Sequence, residues 1–303
     1  EIFDTNIQID CDNGWKTRTE IINLLIERGP PEKVNLQTLY SKSADDVGTF
    51  TYFVAADKKY CKTFAPALID NIRKLRATNL HLHIHGIFSE ETPYLEEASN
   101  WNFLKELIEK ADIKATLTIG ALNLDGLTQN QKKAVYSAER FRLLPELLEM
   151  NSGAVIVADI DQIPLRDPEP LLSNEFDLQL LYFPKSVLNF LSAVSATLSI
   201  FYPSPGGKNA ATLLASYFNQ AYLDPKKLDW HVDQAALATV NYTAFDCKIG
   251  RLSRNLVEDS SNNVDLHKAF SNGAYFWSVT NSIDSNAKSY SRLLNQSYRL
   301  NEI

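Results

Sequence analysis

The chain has 303 residues, 45% of them hydrophobic and 22% charged, which is typical of a globular protein with one large domain. Its net charge of −7 argues against nucleic acid or an anionic membrane surface as the main partner. No apolar run approaches the about 20 residues of a membrane-spanning helix, so we expect no transmembrane segment. The three cysteines are far apart and include no CxxC pair, which predicts free thiols in a reducing, cytoplasmic compartment.

Residues 1–48 form an N-terminal flank of mixed character. Trp15 and the apolar residues between 21 and 26 predict one short helix, which Gly29 and the two prolines after it would end. This flank either packs against the following domain or is the remnant of an upstream helical domain. Because the chain starts at Glu1 with neither methionine nor a signal-peptide pattern, we expect a longer full-length protein, with that helical domain as a partner.

Strands and helices alternate from residue 50 onwards. Before residue 160, periodicity predicts strands at 50–56, 80–87, 113–119 and 154–158 and helices at 58–75, 94–111 and 129–144. After residue 173, it predicts strands at 177–183, 196–203, 248–252 and 274–279 and helices at 210–222 and 230–240. The first half therefore predicts a doubly wound, Rossmann-like α/β fold with a mostly parallel sheet flanked by helices, whereas the second half is mixed.

The most informative segment is residues 154–172, AVIVADIDQIPLRDPEPLL. Its apolar strand delivers Asp159 and Asp161 to the carboxyl end of the predicted sheet, where open α/β sheets bind ligands. Side-chain alternation points both acids the same way. Two hard oxygen ligands suit Mg²⁺ or Mn²⁺ carrying a diphosphate. The alternative is a pair of solvated acids in a turn that Pro164 and Pro168 would help to form.

This segment resembles the Asp-X-Asp motif of nucleotide-sugar glycosyltransferases with the GT-A fold, a group that includes glycogenin-like enzymes and bacterial relatives. Three further segments resemble the helix before that motif, the segment after it and the Asp-Gln helix of the same enzymes: 136–148 (YSAERFRLLPELL), 166–172 (RDPEPLL) and 230–237 (WHVDQAAL). They occur in the expected order, and the resemblance covers roughly residues 50–290.

The resemblance implies a GT-A domain over residues 49–303, with a nucleotide-binding half at about 49–173 and an acceptor half at about 174–303. It also implies transfer of a sugar from a nucleotide-diphosphate donor, UDP- or GDP-linked, to a hydroxyl of a glycan, lipid or protein acceptor. The cation held by the paired acids would be Mn²⁺ or Mg²⁺.

The same resemblance assigns residues to the donor nucleotide. The end of the first strand receives the base, so Ala55, Asp57 and Tyr60 are candidates; Asp57 would also serve as a helix N-cap. The basic residue of the family's motif matches Arg140, which could bind a phosphate with two hydrogen bonds or pair with an acid of the motif. Arg142 lies two residues further along the helix, faces a different direction and is expected to be solvated.

Asp233 and Gln234 open the predicted helix 230–240. The matching acid and amide of the family lie beside the donor sugar or the acceptor hydroxyl. In an inverting enzyme such an acid could be the general base, whereas in a retaining enzyme its role would be positional. The alternative is that Asp233 only favours the helix dipole.

The chain departs from the family pattern in two places. Many relatives take a third metal ligand from a C-terminal histidine, but strand 274–279 has no histidine, so the nearby His267 is the candidate ligand. Lys288 lies where a lysine could contact the phosphates. Ser195 and Ala196 stand where many relatives carry Asn-Ala-Gly facing the sugar, so the donor sugar stays open.

Two other patterns have simpler interpretations. His81, His83 and His85 alternate along one strand and share a face, and we interpret them as partly buried histidines with local hydrogen bonds rather than as a metal site. The segment 204–208, SPGGK, lacks Walker-motif spacing and is interpreted as a tight surface turn.

Two functions from other classes remain open. A sugar nucleotidyltransferase usually carries a glycine-rich, basic loop after its first strand, and residues 55–59, AADKK, are a poor version of it. A catalytically decayed glycosyltransferase-like module that binds a glycan or protein would be consistent with both departures from the family pattern.

Overall fold

The computed structural model describes most of the chain between residues 36 and 278. The described residues are 8–11, 14–17, 36–42, 49–75, 77–91, 98–182, 194–223, 228, 232–244, 246–260 and 264–278. Lys288 and most of the predicted N-terminal helix lie outside them. Trp15, expected in that helix, instead belongs to a β-strand.

The elements are numbered here in chain order. The strands are β1 (Gln8–Cys11), β2 (Gly14–Thr17), β3 (Gln37–Lys42), β4 (Phe50–Asp57), β5 (Leu80–Ser89), β6 (Ala115–Leu122), β7 (Val155–Ala158), β8 (Gln162–Pro164), β9 (Leu178–Tyr182), β10 (Val194–Phe201), β11 (Ile249–Ser253), β12 (Val257–Asp259) and β13 (Phe276–Ser278). The helices are α1 (Lys58–Leu75), α2 (Asn102–Ala111), α3 (Gln129–Arg142), α4 (Leu144–Met150), α5 (Pro205–Leu223), α6 (Val232–Thr243) and α7 (Leu266–Ser271).

The central sheet has eight strands in the order β11-β9-β10-β7-β4-β5-β6-β3. Strands β7, β4, β5 and β6 are parallel, and the chain between them passes through helices. Strand β10 runs antiparallel to both β7 and β9, which makes the second half mixed. The predicted α/β class, with a mostly parallel sheet and a mixed second half, is confirmed.

The central strands of the sheet are buried on both faces because helices cover each side, as expected for parallel strands. On β4, Tyr52 packs in one core cluster with Phe64 and Leu68 of α1. Its neighbour Phe53 points to the opposite cluster, where it packs with Phe141 of α3. Burying each such side chain contributes about 1.5–3 kcal/mol relative to leaving it exposed.

The segment 204–208 is not a surface turn, contrary to the sequence interpretation. Helix α5 begins at Pro205, and the backbone N–H of Gly207 donates to the Ser204 side-chain oxygen at 3.1 Å. A serine cap followed by proline at the first helical position is a helix-start pattern that outweighs the two glycines.

Strands β3, β8 and β12 were not predicted because they are short or lack alternation, whereas β13 lies within the predicted strand 274–279. Strand β3 lies within the predicted N-terminal flank, yet it forms the edge of the central sheet by antiparallel pairing with β6. Strands β12, β13 and β8 form a separate sheet, in which Ser278 pairs with Gln162. The second sheet therefore places the end of the described chain next to the acid motif.

No helix within the described ranges combines the length and apolar character needed to cross a membrane. Cys61 and Cys247, the cysteines whose side chains the structure describes, are free thiols.

Candidate active site

Asp159 and Asp161 lie at the carboxyl end of β7, beyond four buried apolar residues. The chain turns sharply here, because the N–H of Gln162 donates to the Asp159 carbonyl at 3.0 Å. The Asp159 side chain is 31% exposed, so it is open to solvent on one side and held by protein on the other. The paired acids therefore lie on the edge of the sheet that the sequence indicated.

Arg140, in the last turn of α3, joins two of the predicted acids. Its Nη1 donates to Oδ1 of Asp159, and its Nη2 donates to Oδ2 of Asp233 at 2.9 Å. The arginine side chain is only 3% exposed. The end of β7, the end of α3 and the start of α6 thus meet through one guanidinium, although the two acids it contacts are far apart in sequence.

The site carries more negative than positive charge. Burial raises the pKa of Asp161 to about 6, while the Arg140 guanidinium opposes that rise. Burial lowers the pKa of Arg140, and Asp233 and Asp161 oppose that change by attraction. Three carboxylates around one guanidinium leave an excess of negative charge that a divalent cation could offset, and carboxylate oxygens are the hard ligands such cations prefer.

A third protein ligand is not brought to these acids by the part of the chain that the structure describes. Among those residues, no group of three or more histidine, cysteine, aspartate or glutamate side chains could hold a metal ion. His267, the predicted third ligand, lies on the short helix α7 beside β13 and belongs to no such group among the described residues.

The residues predicted to bind the nucleoside lie at the end of β4, beside the acids. The Asp57 carboxylate accepts a hydrogen bond from the N–H of Tyr60 at 2.8 Å, so it caps α1. Burial raises the pKa of Tyr60, and the Asp161 and Asp57 carboxylates add to that rise. Tyr60 therefore lies close enough to the acid motif to be affected by its charge. Ala55, two residues before the end of β4, is buried.

Asp233 opens α6 and is 7% exposed. Its Oδ1 accepts a hydrogen bond from the backbone N–H of Gln234 at 2.8 Å, and its Oδ2 is the oxygen that contacts Arg140. The acid thus sits where it favours the helix dipole and also faces the site. The two sequence interpretations of this residue are compatible.

A β-bulge lies beside the first acid. Between Ser195 and Ser199 the register of β10 against β9 is interrupted, and the Thr197 carbonyl accepts from the N–H of Asp159 at 3.3 Å. The Ser195 and Thr197 hydroxyls are 3.0 Å apart. Bulges often redirect side chains next to active sites, and a bulge leaves no signal in the hydrophobic pattern.

Arg142 was expected to be solvated, and this expectation is wrong. Its Nε and Nη2 donate to the two carboxylate oxygens of Glu139 at 2.7 and 2.6 Å, and both side chains are buried. The hydroxyl of Tyr222 on α5 lies 3.2 Å from Glu139 Oε2. The three-residue spacing of Glu139 and Arg142 on one helix could have indicated the pair, but only the packing of α5 buries it.

The three alternating histidines are buried and bonded locally, as interpreted from the sequence. His81 Nε2 contacts Thr116 Oγ1 at 3.0 Å, and His83 Nε2 and His85 Nδ1 both contact Thr118 Oγ1 at 2.9 Å. Burial lowers the pKa of His81 to about 4 and that of His83 to about 3, so both are neutral at pH 7. They stabilise the β5–β6 pairing.

No family model matches the chain, and no curated protein matches it. A crystal structure of the galactosyltransferase LgtC with donor and acceptor sugar analogs is similar, with a TM-score of 0.51, 11% identity, and coverage of 82% of this chain and 96% of that one. The apo form of mouse xyloside xylosyltransferase 1 has a TM-score of 0.44 and 11% identity over 77% of this chain and 97% of its own. The similarity to LgtC shows that this chain has the fold of GT-A-type glycosyltransferases.

Proposed function

We propose that this protein is a glycosyltransferase that moves a sugar from a nucleotide-diphosphate donor to an acceptor hydroxyl and uses Mn²⁺ or Mg²⁺. One observation carries the proposal: Arg140 joins Asp159 and Asp233 beside Asp161, at the carboxyl edge of the parallel strands. That edge is where open α/β sheets bind ligands. The GT-A-type fold supports the same assignment.

Asp159 and Asp161 would hold the cation. Mg²⁺ is commonly bound by one or two carboxylates together with substrate phosphates and water, so two protein acids are sufficient in number. A cation held by these two acids would supply positive charge that offsets the negative charge of the diphosphate and of the leaving group. The excess negative charge around Arg140 favours such binding.

The other residues bind and orient the substrates. Arg140 contacts two of the acids and would place its buried positive charge beside the diphosphate; Lys288 would add a second contact to the phosphates. Asp57 and Tyr60, with the small Ala55, would hold the nucleoside.

Asp233 and Gln234 would face the reacting sugar and the acceptor hydroxyl of a glycan, lipid or protein. If the reaction inverts the sugar configuration, Asp233 would take the acceptor's proton. Its contact with Arg140 holds the carboxylate in a fixed position at the site.

The test is titration calorimetry with UDP and with GDP, in the presence and absence of Mn²⁺. We expect one of the two to bind only with Mn²⁺, and Asp161→Asn to weaken that binding about a hundredfold, or about 2.7 kcal/mol. Asp125→Asn is the matched control, because it makes the same change on an exposed turn. A donor-hydrolysis screen with nucleotide sugars and Mn²⁺ then identifies the sugar.

Other results separate the alternatives. Preference for a nucleoside triphosphate would indicate a sugar nucleotidyltransferase. Absence of nucleotide binding in the unaltered protein would contradict the transferase proposal and favour a decayed binding module. Full binding by Asp161→Asn would remove this acid from the metal site.

A further inference from the structure

The last turn of α3 carries two buried arginines that point in different directions. Arg140 is 2% exposed and faces the acids, whereas Arg142 is 9% exposed and contacts Glu139 on its own helix. Residues two apart on a helix lie on different faces, so one backbone segment sets both positions. Any shift of this turn would move the guanidinium of Arg140 within the site.

Arg140 contacts the two acids through its guanidinium, and its buried Nε makes no hydrogen bond to the residues that the structure describes. The guanidinium lies 5.0 Å from the ring of Phe141, the next residue on the same helix. The α3 backbone sets the position from which this side chain leaves the helix.

Hydrogen bonds from Tyr222 of α5 hold helix α3 on the side away from the acids. The Tyr222 hydroxyl lies 3.1 Å from the Val135 carbonyl and 3.2 Å from Glu139 Oε2, and it shares its proton between them. The Arg142 guanidinium lies 5.4 Å from the Tyr222 ring. A buried ion pair is expensive unless it is fully hydrogen-bonded, so this tyrosine and the pair depend on each other.

We propose that Tyr222, Glu139 and Arg142 are positioning residues that hold Arg140 against Asp159 and Asp233. The inference rests on the proposed function, because it assigns these contacts a role in donor binding. Tyr222 acts through the last turn of α3 and touches no substrate. Loss of its hydroxyl should loosen Arg140 without unfolding the protein.

The variant is Tyr222→Phe, and the control is Tyr217→Phe, which removes a hydroxyl from the same helix that is not bonded to Glu139. The first readout is hydrogen exchange at the Arg140 Nε–H, measured by NMR, with backbone amide exchange in β7 as the internal reference. We expect about tenfold faster exchange at Arg140 in Tyr222→Phe alone, because a bond to a charged group is lost. Equal exchange in the variant and the unaltered protein would overturn the inference.

The second readout is the affinity for UDP or GDP with Mn²⁺, which should fall about tenfold in Tyr222→Phe and stay unchanged in Tyr217→Phe. Unchanged affinity in Tyr222→Phe, or faster amide exchange in β7 as well as at Arg140, would show that these residues have only a structural role. Either result would overturn this inference but leave the proposed function unaffected. Failure of the unaltered protein to bind either nucleotide would overturn the proposed function and this inference together.

Discussion

Replacing His83 with glutamine should make the protein less sensitive to acid. His83 is 3% exposed, and its Nε2 bonds to Thr118 on the neighbouring strand at 2.9 Å. Glutamine can place a polar atom near that position but cannot gain a proton. The substitution therefore removes a titration while keeping a hydrogen-bonding group in the β5–β6 interface.

The expected magnitude follows from the shifted pKa. Burial lowers the pKa of His83 from 6.5 to about 3. Between these two pH values, His83 binds a proton in the unfolded chain but not in the folded chain. At pH 5 this group alone lowers the free energy of unfolding by about 2 kcal/mol relative to pH 7.5. The loss starts as the pH falls through 6.5 and ends near the folded-state pKa. His81, whose pKa is lowered to about 4, should contribute a similar amount.

The assay is urea unfolding without metal at pH 7.5 and pH 5.0, followed by tryptophan fluorescence. The stability lost between the two pH values should be about 2 kcal/mol smaller in His83→Gln than in the unaltered protein. Titrating groups distant from β5 are shared and cancel in this difference. His267→Gln is the control, since it makes the same change at a partly exposed histidine. If His83→Gln lost as much stability as the unaltered protein, His83 would not be buried in its neutral form.

Two further substitutions test the packing around the site. Arg140→Met should lower the free energy of unfolding by about 3 kcal/mol, because it leaves buried Asp233 without its counter-charge. Urea titrations measure this loss, and saturating Mn²⁺ should restore part of it. A stability equal to that of the unaltered protein would contradict the ion pair. Gly86→Ala would place a Cβ 2.7 Å from the ring of fully buried Trp101, so thermal unfolding should show a loss of about 1–3 kcal/mol, and an unchanged melting temperature would contradict that contact.

Much of the fold could be predicted because local sequence patterns indicate its helices and strands. Helix α1 begins and ends at the predicted residues, since its apolar face repeats with the helical period and Asp57 caps it. Strands β4 and β7 are rich in apolar residues and buried almost throughout, as central parallel strands are. Strand β3 has no buried residues, so its hydrophobic pattern gave no signal, and only pairing with β6 defines it.

The acids of the candidate site and their pairing with Arg140 could be predicted, whereas the contact between Arg140 and Asp233 could not. Strand-end position indicated Asp159 and Asp161 directly. The family resemblance singled out Arg140, which contacts both Asp159 and Asp233, whereas Arg142 was expected to be solvated and is part of a buried pair. Spacing cannot distinguish them, because the difference arises from which element packs against each face of the helix.

The sequence alone determined where most strands and helices around the central sheet form and which strand end carries the acids, because backbone periodicity and end signals act over a few residues. Tertiary structure alone decided the long-range partners of the buried charges. Arg140 and Asp233 are 93 residues apart, and Tyr222 and Glu139 are 83 apart. A buried charge is stable only where packing brings an opposite charge or a hydrogen-bonding group to it. Which group is brought there depends on how helices that are far apart in sequence pack on the sheet.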